Sequence, residues 1–110
     1  MKSPDAVTAL AALAQPTRLA IFRLLVEAGT DGMAVGSIGE AVGVAPTTLS
    51  FHLKALAQAK LVDPQQQGRY IYYSANFKTM FGLIDYLTQN CCGGNPAACA
   101  PKAKSPTRQS

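Results

Sequence analysis

Cysteine is missing from the first 90 residues of this 110-residue chain; all three, Cys91, Cys92 and Cys99, fall within nine positions near its end. An odd, clustered set excludes the disulfide framework of a small secreted protein, and in a reducing cytosol it leaves free thiols or ligands. Histidine occurs once, at His52. No apolar run approaches the roughly 18 residues of a membrane-spanning helix. Residues 1–17 lack the apolar block of a secretory signal. The expected location is cytoplasmic, with no membrane partner. Excess charge of one sign is also scarce: residues 1–90 hold seven Lys/Arg against six Asp/Glu, and the surplus lies in Lys102, Lys104 and Arg108. A nearly neutral folded part binds nucleic acid weakly on charge alone, so tight binding would require a dimer with well-placed contacts.

What is present is a single globular domain with a tail, 48% hydrophobic and 15% charged. Residues 1–92 are expected to form the domain. Residues 93–110, rich in Gly, Pro, Ala, Lys and Ser, are expected to form a flexible tail carrying the third cysteine.

The informative stretch runs from Val35 to Val62. A short helix over Gly36–Ala41 is followed by Val42-Gly43-Val44-Ala45-Pro46, a turn in which Gly43 can take a positive φ and Pro46 suits the first position of the next helix. This is the pattern of a helix-turn-helix. On a wheel of about 100° per residue, Leu49, Leu53 and Leu56 form a core stripe within about 40°, while Thr47, Phe51, Lys54 and Gln58 fall opposite, with Thr48 and Ser50 on the flanks. Short hydroxyls near the start of a helix, followed by a lysine, suit a helix entering a DNA major groove. The candidate contacts are Thr47, Thr48, Ser50, Phe51, His52 and Lys54. His52, about 60° from the stripe, is assigned to packing or to a phosphate contact.

Upstream, residues 5–14 predict a helix with Val7, Leu10, Ala11 and Ala14 on one side. Thr17–Ala28 predicts an apolar central helix closed by Gly29. Met33-Ala34-Val35 reads as either a short strand or an extended lead-in. Downstream, Leu61-Val62, a polar loop Asp63–Gly68, and Arg69–Ser74 predict a two-stranded β-hairpin leaning on the helices. Arg69 near its tip can reach a phosphate or the minor groove. Asn76 caps a last helix running to about Asn90, in which Phe77, Met80, Phe81, Ile84 and Leu87 share a stripe that Leu83 and Tyr86 widen. That is more apolar surface than one small domain can cover, so a two-fold homodimer through the first and last helices is expected.

In this order the elements resemble the ArsR/SmtB family of winged helix-turn-helix metalloregulators. The resemblance rests on Pro16-Thr17-Arg18-Leu19 with Ile21 and Leu24-Leu25, on Leu49-Ser50-Phe51-His52-Leu53-Lys54-Ala55-Leu56, and on Gly68-Arg69 before Tyr72. It covers about residues 5 to 90. It implies a mainly α fold with a β-hairpin wing, and a homodimeric repressor that leaves operator DNA when a metal or metalloid binds. Two of the family's inducer sites are missing. Met33–Val42 contains no cysteine, and Asp85 on the last helix has no histidine beside it.

What remains is Cys91-Cys92-Gly93-Gly94-Asn95-Pro96-Ala97-Ala98-Cys99. Three sulfurs make a poor closed zinc site, which takes four ligands. Soft thiolates select soft ions, and trivalent arsenic, As(III), or antimony, Sb(III), keeps a lone pair in place of a fourth ligand. Some arsenic-responsive members of the family are similar in carrying cysteines near the C-terminus. A helix C-terminus disfavours thiolate, which argues against a nucleophilic enzyme and for thiols deprotonated by the arriving ion. The expected function is an arsenic-released repressor. A thiol redox-sensing repressor and a metalloid-binding protein without DNA function remain as alternatives.

Overall fold

The computed structural model describes residues 1–94. Its elements run α1 (Ser3–Leu13), α2 (Pro16–Ala28), β1 (Met33–Ala34), α3 (Val35–Val42), α4 (Pro46–Gln58), β2 (Val62–Gln67), β3 (Tyr70–Ala75), α5 (Phe77–Thr88) and a single turn, α6 (Cys91–Gly94). The tail, Cys99 included, lies outside the described residues apart from its first two positions.

Proline and side-chain caps set the helix starts. Pro16 and Pro46 each stand at the first helical position, where no backbone N–H is needed. The Gln15 side chain accepts from the Arg18 amide at 2.8 Å, and the Asn76 side chain accepts from the Thr79 amide at 3.0 Å. Between α3 and α4, Gly43 takes the left-handed conformation (φ 71, ψ 39) and its N–H returns to the Gly39 carbonyl at 2.8 Å. That turn fixes the crossing of the two helices.

The sheet is three-stranded and antiparallel in the order β1-β3-β2. Met33 pairs with Tyr73 and Ala34 with Tyr72, so the expected two-stranded hairpin gains a strand. Gly32, just before β1, lies so close to the Tyr73 carbonyl that no β-carbon would fit. The segment Asp63–Gln67, expected as a polar loop, is most of β2: Gln65 pairs with Tyr72 and Gln67 with Tyr70, leaving Gly68 and Arg69 as a two-residue turn. Backbone pairing to an aromatic strand outweighs polar composition here, because β2 is an edge strand whose side chains after Val62 stay exposed. The same edge position tolerates Pro64.

The core gathers Ile21, Phe22 and Leu25 from α2, Ile38 from α3, Leu49, Leu53 and Leu56 from α4, and Leu61, Val62, Ala75 and Leu83. Each fully buried leucine contributes at most about 1.5–3 kcal/mol. Two helices divide their apolar residues between core and surface. The core side of α1 is Ala6 and Ala9, whose small side chains let the helix lie close, while Val7 (61% exposed) and Leu10 face outward. The stripe on α5 divides: Leu83 is buried, Phe77, Met80 and Tyr86 pack against the core, and Phe81, Ile84 and Leu87 are exposed. Among the described residues no single helix is long and apolar enough to cross a membrane.

Candidate nucleic-acid interface

α4 buries one side and presents the other. With Leu49, Leu53 and Leu56 in the core, the helical period turns Thr47, Thr48, Ser50, Phe51 and Lys54 outward, and all five are exposed. The two threonines lie in the first turn, the end by which such a helix approaches base edges. Among the described residues no hydrogen bond or ion pair ties down the Thr47, Thr48, Ser50, Lys54 or Arg69 side chains, so they are available to a ligand. The Gln66 side chain donates to the Gly68 carbonyl at 3.3 Å beside Arg69, which stiffens the tip of the hairpin.

His52 does not belong to this face. It is 8% exposed, with Nδ1 3.3 Å from Arg18 Nη1 and its ring edge-to-face with Phe51 at 5.6 Å. Of its two expected roles it takes packing, because the rotation from Leu49 to His52 points its ring back toward α2. Arg18 also donates from Nε to the Ala12 carbonyl at 2.7 Å. One guanidinium therefore joins the end of α1 to the buried side of α4. The sequence marked Arg18 only as part of a motif, since nothing local relates it to a histidine 34 positions away.

At the far end, α5 gives way at Gln89 (ψ 127), and the chain turns through left-handed positions at Asn90 (φ 58), Cys92 (φ 55) and Gly93 (φ 66). This turn brings Cys91 Sγ to 3.5 Å from Cys92 Sγ. Cys92 is a free, exposed thiol, and Cys91 is disulfide-bonded. Among the described residues no group of three or more His, Cys, Asp or Glu could hold a metal ion.

Residues 13–65 match a helix-turn-helix domain family. The chain is 34% identical over 76 residues to the transcriptional repressor SdpR of Bacillus subtilis, covering 69% of this chain and 81% of that protein. It is 33% identical over 81 residues to the arsenical resistance operon repressor of the same organism, covering 74% and 73%. The homodimeric winged helix-turn-helix DNA-binding domain of Mb0332 from Mycobacterium bovis superposes with a TM-score of 0.64 at 28% identity, covering 84% and 86%. The chain belongs to the ArsR/SmtB family of winged helix-turn-helix transcriptional repressors. In ArsR/SmtB terms α3 and α4 are the helix-turn-helix, and β2 and β3 are the wing. These relatives are regulators, and this chain is a regulator rather than an enzyme.

Proposed function

We propose that the chain represses transcription as a homodimer on operator DNA, reading the major groove with Thr47, Thr48, Ser50, Phe51 and Lys54 and touching the backbone or minor groove with Arg69. The reading rests on one observation above all: the outward face of α4 is exposed and untied, while its opposite face is anchored in the core. Dimerisation is supported by Val7 and Leu10 on α1 and Phe81, Ile84 and Leu87 on α5, large apolar residues that a lone chain leaves in water.

The inducer in this reading is As(III), with Sb(III) as the alternate ion, held by the reduced thiolates of Cys91, Cys92 and Cys99. Cys91 and Cys92 stand next to one another at the end of α5, and once reduced, soft thiolates would suit a soft trivalent ion that keeps a lone pair in place of a fourth ligand. Ion binding at the end of α5 reshapes the dimer and spoils half-site spacing. A coupling of about 1–3 kcal/mol lowers operator affinity about 5- to 150-fold.

The disulfide at Cys91 favours a second reading, a repressor switched by thiol oxidation. Fluorescence anisotropy on the promoter upstream of the protein's own gene separates the two. Under reducing conditions, release by arsenite supports the first reading; release by peroxide without arsenite supports the second. Replacing all three cysteines with serine should preserve DNA affinity and abolish either response, and release that persists would sink both.

A further inference from the structure

Beyond Pro46 at its start, the outward face of α4 carries two threonines, a serine, a lysine, a glutamine and one large side chain with no hydrogen-bonding atom, Phe51. At 66% exposed, it is the most exposed large apolar residue among the described residues. The core has no use for it, because Leu49, Leu53 and Leu56 already fill the inner side of the helix. It also stands on a different element from the apolar residues of α1 and α5 that a second copy would cover. Its position is nevertheless restrained: the ring sits 5.6 Å from the His52 ring at 67°, and His52 is itself buried beside Arg18. An exposed aromatic backed by an anchored neighbour presents a defined apolar surface.

In the major groove the apolar feature of a base edge is the C5-methyl group of thymine. Thr47 lies one turn before Phe51 and Lys54 about one turn after, so the phenyl ring occupies the middle of the polar face. We propose that Phe51 is a specificity-determining residue that covers a thymine methyl group, so that each operator half-site carries thymine opposite it. This rests on the DNA-binding reading above and adds a base preference that hydroxyls and a lysine do not define.

The test is a thymine-to-deoxyuridine scan of the promoter upstream of the protein's own gene, read by fluorescence anisotropy with the full chain. The replacement removes only the methyl group and keeps the hydrogen-bonding edge. For the wild type, one position in each half-site should weaken binding about fourfold, the ~0.8 kcal/mol of one buried methyl group converted at about 1.4 kcal/mol per tenfold. The same replacement should cost Phe51→Ala nothing measurable, while Phe51→Leu, which keeps an apolar surface, should retain most of the effect. Circular-dichroism spectra of the variants should show the wild-type fold, with melting lowered by no more than the one edge-to-face contact to His52 contributes. Tight wild-type binding insensitive to every thymine methyl, or a methyl effect that survives Phe51→Ala, overturns the Phe51 assignment and leaves the DNA reading standing. A wild type that binds no part of the promoter overturns both.

Discussion

Arg18 Nη1 and His52 Nδ1 stand 3.3 Å apart, 34 positions distant in the chain, on the buried side of α4, whose opposite face is exposed. Arginine has no acceptor, so Nδ1 accepts and the imidazole proton is assigned to Nε2. Because Arg18 also holds the Ala12 carbonyl, the contact ties α1 to α4. Arg18→Ala leaves a buried nitrogen unpaired and should cost about 1–3 kcal/mol, visible as a melting temperature lower by about 4–8 °C per kcal/mol. His52→Asn, which keeps an acceptor near the Nδ1 position, should cost less than His52→Leu. In urea unfolding, a double-mutant cycle of Arg18→Ala with His52→Leu should be non-additive by about 1 kcal/mol; additive costs would mean that the contact contributes nothing.

The elements that follow from short-range chemistry were readable in advance. Pro16, Gly29, Gly43, Pro46 and Asn76 mark helix ends through backbone rules that need no tertiary knowledge, and the structure has those ends. Errors arose where tertiary pairing decides. Asp63–Gln67 is a strand because β3 lies beside it, and no periodicity in a run of glutamines announces that. On α1 the sequence put Val7 and Leu10 on one side without saying what that side meets, and only tertiary packing shows that Ala6 and Ala9 face the core. At the site, the wheel separated the outward residues of α4 correctly but could not say that His52 had a partner.

Phe81 and Ile84 are exposed on α5, one turn apart, and a charge placed there finds water in a monomer but a desolvated face in a dimer. Ile84→Asp should leave the monomer fold intact by circular dichroism. It should also shift the sedimentation mass from twice the 11.5 kDa chain to that of one chain, with loss of operator affinity. A variant that sediments unchanged from the wild-type dimer would remove α5 from the interface.

Arg69 is exposed at a two-residue turn, where the Gln66 contact to the Gly68 carbonyl limits its motion. A phosphate contact there releases about one counterion. Arg69→Ala should therefore lower the slope of log K against log salt by about 0.9 per subunit engaged. Affinity should fall by a similar factor on operator and on unrelated DNA, because phosphates carry no sequence. An unchanged slope would mean that the wing does not touch the backbone through this residue.

Cys91 and Cys92 sit side by side at the end of α5, with their sulfurs 3.5 Å apart, whereas Cys99 comes from further along the chain. In the three-thiolate reading the ion's third bond must come from Cys99, and its loss leaves arsenite two sulfurs and an exchangeable oxygen. A methylated arsenical already carries one carbon substituent and needs only the vicinal pair. Cys99→Ser should therefore weaken release by arsenite while release by monomethyl arsenite persists, under reducing conditions that keep all thiols available. Both responses should vanish in Cys92→Ser, which breaks the pair. If arsenite releases Cys99→Ser from the operator as readily as the wild type, the third ligand is not Cys99, and a two-thiol site at the end of α5 accounts for the response.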